Sequence, residues 1–220
     1  MRDEDFEVFI EEFGEASHSF AVPEDVIDRW RGRLPEQLLT YWKDEGWCSY
    51  AEGLLATVNP QEYQDLIATW LKGTVFEALD DYHVFARSAF GKLYACGIRT
   101  GASLTISCPV HAIIALANDV KPQSEDSVNG SVSAFFGAAM QSSFDIEDED
   151  GEPMFRRAVE KFGPLDADEI FSFEPAIVFG GKMALENLQK VKLHQHLMIL
   201  RQLAPPKVPF SDVDIDRLMP

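Results

Sequence analysis

Basic residues are scarce in this sequence. Nineteen Lys and Arg stand against 37 Asp and Glu over 220 residues, for a formal net charge of −18. The sequence pI is about 4.5. A surface of that sign repels phosphate backbones and anionic headgroups, so direct nucleic-acid or membrane binding is not expected, and any charged partner should be basic. Cysteine is scarce too. Cys48, Cys96 and Cys108 are odd in number, fall at no metal-ligand spacing and lie in apolar surroundings, which reads as reduced, buried thiols. No apolar run reaches the roughly 18 residues of a membrane span. The first residues, MRDEDFEVFIEEFGE, are acidic where a secretion signal is basic and apolar, so the expected compartment is the cytoplasm.

Catalytic signatures are equally lacking. There is no G-x-G-x-x-G after a strand, no P-loop lysine motif, no G-x-S-x-G elbow and no H-E-x-x-H. Gly180-Gly181 follows an extended run without the rest of a nucleotide-binding pattern and reads as a turn. His194 and His196 are two apart, which on a helix points them about 200° apart, unsuited to chelating one metal. No cofactor or metal is expected.

Apolar bulk is plentiful. Hydrophobic residues make up 46% of the chain and aromatics 11%, enough for a protein of this size to bury roughly 70% of its unfolded surface. All four tryptophans, Trp30, Trp42, Trp47 and Trp70, fall between residues 30 and 71 with Tyr41, Tyr50 and Tyr63. That stretch should anchor the core. Pro35 suits a helix first turn, Leu38, Leu39 and Trp42 continue at helical spacing, and Gly46 stops the helix. Leu54–Val58 reads as a buried strand. Asn59 with Pro60 and Glu62 opens a capped helix along Tyr63, Leu66, Ile67, Trp70 and Leu71.

The N-terminus is an amphipathic helix, with Phe6, Phe9, Ile10 and Phe13 on one face. Seven carboxylates, including Glu7, Glu11 and Glu12, crowd the other, and Gly14 ends it. A short helix follows over Val26, Ile27 and Trp30. Strands are expected at 82–87, 90–96, 102–107 and 110–116, joined by short turns as an antiparallel meander. Helices should then lie before and after the sheet, an α+β layout. Asn118–Pro122 is the expected junction, dividing the chain into 1–118 and 119–220, packed as one body. Beyond it come a helix around Val128–Met140, an acidic loop over 144–152, a helix from Met154 to Phe162, an extended run over 168–181 and a helix over Leu193–Leu203.

A family resemblance rests on LPEQLLTYWKDEGWCSYAEGLLATVNPQEY from Leu34 to Tyr63 and HVFARSAFGKLY from His83 to Tyr94, which look like the GAD-like domain of bacterial proteins. MFRRA from Met154, GPLDADEIFSFEPAIVFGG from Gly163 to Gly181 and HLMILRQLA from His196 to Ala204 resemble the domain that follows it in type VI secretion immunity proteins. One departure is Ala56, where a larger residue is expected. The resemblance implies an immunity protein that neutralises a cognate antibacterial toxin, commonly a DNase, as a non-enzymatic heterodimer. The matching residues look like fold-keepers, so none is carried over as a contact. Opposite charge points the same way, because a DNase must hold phosphates in a cationic groove.

The acidic clusters are therefore the expected partner-binding residues: first Asp145, Glu147, Asp148, Glu149 and Asp150, then Glu7, Glu11 and Glu12, then Asp80 and Asp81. Two other readings stay open. One is a small enzyme built on Asp80, His83 and Arg87, which a pocket joining carboxylate to imidazole would favour. The other is a protein-binding regulator of the SMI1/KNR4-like kind, which the α+β layout loosely resembles.

Overall fold

A computed structural model describes residues 2–117 and 120–209. Of the junction expected at Asn118–Pro122, residues 118 and 119 lie outside the described residues.

The first helix, α1 (Glu4–Phe13), is capped at both ends, at Gly14 as the sequence indicates and at Asp3 as it does not. The Asp3 carboxylate accepts from the Phe6 N–H at 2.9 Å, and Gly14 at φ 76° closes the last turn. Phe6, Phe9 and Phe13 are buried at helical spacing. Then come β1 (His18–Phe20), α2 (Glu24–Trp30), α3 (Glu36–Asp44), β2 (Trp47–Tyr50) and β3 (Leu55–Thr57). The helix expected at Asn59 begins as a 3-10 turn over Pro60–Tyr63, with the Asn59 side chain accepting from the Gln61 N–H, before α4 (Gln64–Leu71). The hairpin strands β4 (His83–Ser88), β5 (Lys92–Gly97), β6 (Gly101–Ser107) and β7 (Ala112–Ile114) follow.

These seven strands form one sheet in sequential order, every neighbouring pair antiparallel. The meander is real, but the expectation that helices lie only before and after the sheet is corrected. The segment carrying α2 and α3 is an excursion between β1 and β2, and α4 lies between β3 and β4. Strand β1 is three exposed residues with no alternation to read. It is located by its partner, with Phe20 opposite Trp47. Gly46 makes that approach possible. Its φ is 88°, and a Cβ there would collide with the Phe20 carbonyl oxygen.

Both faces of the sheet are covered. Val84, Leu93, Ala95, Leu104 and Ile106 pack in one cluster with the α4 residues Leu66, Ile67 and Trp70. Phe85, Tyr94 and Cys96 pack in another with Phe6, Phe9, Trp42 and Phe136. All six residues of β4 are consequently buried.

The rest of the chain wraps this layer with α5 (Glu125–Gly137), α6 (Gln141–Phe144), α7 (Phe155–Phe162), β8 (Glu169–Phe173), β9 (Leu188–Lys192) and α8 (Leu193–Leu203). Strands β8 and β9 pair as a separate antiparallel ribbon. The Phe171 N–H donates to the Ala89 carbonyl at 2.9 Å, docking the ribbon at the β4–β5 turn. Phe136 joins the α1 cluster, while Leu193, Leu197 and Leu200 of α8 join the α4 cluster. The three cysteines are buried, and burial pushes each thiol above its ordinary pKa. Of the indoles, Trp70 finds a backbone acceptor, whereas the Trp42 and Trp47 N–H groups have no hydrogen-bond partner among the described residues.

Candidate protein-binding surface

The acidic segment after α6 is a built turn rather than a loose solvated loop. Asp145 is only partly exposed, and its carboxylate accepts from the N–H groups of Ile146, Met154 and Phe155 at 2.7–3.2 Å. Two of those donors open α7, whose own preceding residue supplies no side-chain cap, so Asp145 acts as the cap from ten residues away. Burial raises its pKa, while these donors and the nearby Lys92 pull it down. The Lys92 ammonium donates to the Ser143 and Asp145 carbonyls, and burial lowers its pKa.

Asp148 is the second internal post. Its Oδ1 accepts from the Asp150 and Glu152 N–H groups at 3.0 Å each, and its Oδ2 accepts from Arg157 at 2.6 Å. The Arg157 hydrogen bond holds this carboxyl below the usual range. With Asp145 and Asp148 turned inward, Glu147, Glu149 and Asp150 project outward. The Glu149 N–H donates to the Met183 carbonyl at 3.1 Å, and its carboxylate lies 3.9 Å from Lys182, so the turn is stitched to the loop after β8.

The second acidic group meets this one. Glu12 at the end of α1 accepts from the Gln141 backbone N–H, and the Gln141 side chain donates to the Glu12 carbonyl. The Phe13 and Phe144 rings pack edge-on at 5.5 Å. Glu12 thereby caps α6, leaving Glu7 and Glu11 exposed. The structure thus brings the first two expected clusters to one region.

The third cluster stands apart. Asp80 Oδ2 accepts from the Arg99 N–H, the Thr100 N–H and the Thr100 hydroxyl at 2.8–3.0 Å, fastening the β5–β6 turn. Asp81, with its side chain 70% exposed, faces His83 at 3.1 Å and Arg33 at 3.5 Å. Lys92 and His83 mark opposite ends of the β4–β5 hairpin, so this pair lies roughly 20 Å from the acidic turn at about 3.3 Å per residue.

A cavity of about 250 Å³ is lined by Asp80, Asp81 and His83 together with Arg33, Ile67 and Glu77, among others. It brings Asp80 and His83 of the site weighed from sequence to one cavity, but Arg87 is not among its lining residues. Asp80 serves its turn, and the buried Arg87 points its Nη2 at the Ala167 carbonyl. His194 and His196 diverge as expected, the first to Asp65 at 3.1 Å and the second to the Ser172 hydroxyl at 2.7 Å. Burial lowers the pKa of His83 and of His196. Among the described residues, no three His, Cys, Asp or Glu side chains form a metal-holding group, and no helix is long and apolar enough to cross a membrane.

Sequence reasoning missed Val178 and Phe179, which lie on the loop stitched to the acidic turn. The sequence places them in an extended apolar run over 168–181. Instead Ile177–Phe179 forms a 3-10 turn on which Val178 and Phe179 are exposed.

Fold and surface define an acidic α+β protein built on a covered antiparallel sheet, with exposed carboxylates on α1 and on the turn after α6 among others. Residues 4–110 match the family model of the GAD-like domain, and residues 129–204 match that of T6SS immunity protein Tdi1, C-terminal. The chain belongs to the type VI secretion immunity protein family. It is similar to the crystal structure of Atu4351 from Agrobacterium tumefaciens, with a TM-score of 0.77 and 25% identity over 92% of this chain and 91% of that one. No curated protein matches it.

Proposed function

We propose that this protein is the immunity partner of a type VI DNase toxin and neutralises it as a heterodimer, covering the basic surface with which the toxin holds DNA. The observation that carries the reading is the succession of a GAD-like domain and an immunity-protein C-terminal domain across most of one chain. Charge supports the finer part. A net charge of −18 complements a cationic phosphate-binding groove and is repelled by the DNA itself. Opposite fields bring association toward about 10⁸–10⁹ M⁻¹s⁻¹ at low salt, which suits capture of an injected nuclease before it reaches the chromosome.

A specific inhibitor of this kind buries about 1,600 Å² or more. We assign the outward carboxylates Glu147, Glu149 and Asp150, with Glu7 and Glu11, to steering, and Asp145, Asp148 and Glu12 to building the surface that carries them. Asp80 and Asp81 belong to a separate region. The reading contains no catalytic step by this chain.

The test is co-expression with the product of the adjacent gene as the candidate toxin, followed by purification on a tag carried by that product. A one-to-one complex that survives washing supports the proposal. A folded toxin that emerges alone contradicts it.

A further inference from the structure

Beyond steering charges, a tight inhibitor needs apolar anchors, because exposed ion pairs are worth little while a few desolvated aromatics carry most interface energy. The described residues offer several exposed large hydrophobics, including Phe20, Met140 and Phe179. Only some are placed to work with the outward carboxylates.

Phe179 is 63% exposed, and the chain is shaped to keep it so. Its N–H donates to the Ala176 carbonyl at 2.9 Å, and the Gly180 and Gly181 N–H groups close the same tight turn onto Ile177 and Ala176. Gly180 takes a left-handed conformation at φ 84°. Gly181 lies so close to the Pro175 carbonyl that any Cβ would collide with it. The turn is anchored on its other side, since Ile177, Met183 and Leu185 pack against the core. A fixed backbone therefore holds an aromatic ring in water, a pre-organised arrangement that loses little entropy on binding.

The surroundings decide what such a ring would meet. Three residues beyond it, Lys182 faces Glu149, and the next residue accepts the Glu149 N–H. The loop that carries the ring is therefore hydrogen-bonded to the segment that carries the outward carboxylates Glu147, Glu149 and Asp150, which sets an apolar knob and an acidic turn on linked segments. That pairing complements a basic surface containing an apolar recess. It is a poor fit for a second copy of this chain, whose net charge is −18.

We infer that Val178 and Phe179, on the turn Ile177–Gly181, are the apolar anchor that docks into a recess on the basic toxin, with Glu147, Glu149 and Asp150 as the charged rim. This rests on the immunity reading and deepens it. Steering and holding are divided between the two parts. The rim sets how fast the complex forms, and the knob sets how long it lasts.

The experiment measures association and dissociation rates against the candidate toxin from the adjacent gene, rendered inactive so that it can be produced alone. Four forms are compared: the natural protein, Phe179→Ala, Phe20→Ala and the double charge reversal Glu147→Lys/Glu149→Lys. Phe20 is 66% exposed on β1, in the part of the chain matched by the GAD-like domain, and serves as an equally exposed control. Phe179→Ala should speed dissociation by about tenfold or more, the loss expected of a hot-spot residue. Phe20→Ala should stay within about threefold, and the charge reversal should slow association while dissociation changes little. Unaltered dissociation for Phe179→Ala, in a natural complex that does form, overturns the anchor and leaves the immunity reading standing. If the natural protein binds no toxin, both fall together. All four substituted positions are exposed, so circular dichroism should show each variant folded, and a Phe179→Leu variant that restores slow dissociation would tie the effect to apolar contact.

Discussion

The indole N–H of Trp70 donates to the backbone carbonyl of Leu197 at 3.1 Å, across 127 residues of sequence. The bond joins α4, inside the segment matched by the GAD-like domain, to α8, inside the segment matched by the immunity C-terminal domain. Arg201 adds hydrogen bonds to the Trp70 and Lys72 carbonyls close by.

If the two segments fold as one body, Trp70→Ala should remove about 3–5 kcal/mol of stability as a buried aromatic lost from a packed core. Urea unfolding followed by tryptophan fluorescence and by circular dichroism should then shift as one transition. Trp70→Phe, which keeps most of the ring area and loses the donor, should cost about 1–2 kcal/mol. A second transition left at its original midpoint would mean that the segments unfold separately.

Gly46 predicts a cost of a different origin. Replacing it with Ala puts a Cβ against the Phe20 carbonyl at a backbone φ of 88°. We expect a loss of about 2 kcal/mol or more, localised as faster amide exchange in β1 and β2. Unchanged exchange there would show that β1 is not held through this contact.

The contrast between these residues shows what the sequence could disclose. Caps and stripes were legible, as with Asn59, Gly14 and the Phe6–Phe9–Phe13 face, because a helix end and its buried face are written in nearby residues. Strand β1 was not, because His18, Ser19 and Phe20 are exposed and become a strand only by pairing with residues 47–49 across two helices. The candidate surface divides in the same way. The density of carboxylates over 145–152 was plain. That Asp145 and Asp148 face inward while Val178 and Phe179 face outward depends on backbone hydrogen bonds made by Ile146, Met154 and Gly181, which no spacing rule reports.

That division yields a separable prediction. Asp145→Ala removes the remote cap of α7 and should cost about 1–2 kcal/mol of stability while leaving the toxin association rate near that of the natural protein. Charge reversal at Glu147, Glu149 and Asp150 should do the opposite, slowing association and flattening its dependence on salt with the unfolding midpoint almost unchanged. Stopped-flow binding at two ionic strengths, with denaturation of the same variants, distinguishes the two. Equal effects on both measurements from either variant would contradict the assignment.

His83 and His196 predict a pH profile. Burial holds both below their ordinary value of 6.5, although Asp81 raises the first and Glu174 the second. As pH falls below 6.5 the unfolded chain takes up these protons before the folded one does, so the unfolded state binds more protons and folding stability declines with falling pH. Carboxyls held low in the fold, such as Asp148 and Asp168, add a decline of the same sign further down, as pH drops through their lowered range. Urea midpoints should therefore fall between pH 7.5 and 5.5, and more gently in His196→Gln. A midpoint that rises over that interval would refute the histidine contribution.

The central claim is that this protein silences a DNase by binding it. The most direct measurement is plasmid cleavage by the product of the adjacent gene, the candidate toxin, titrated with the purified protein at physiological salt. We predict that cleavage falls linearly and ends at one equivalent. Full cleavage at a several-fold excess, by a toxin shown to be active and with an inhibitor shown to be folded, would contradict the account.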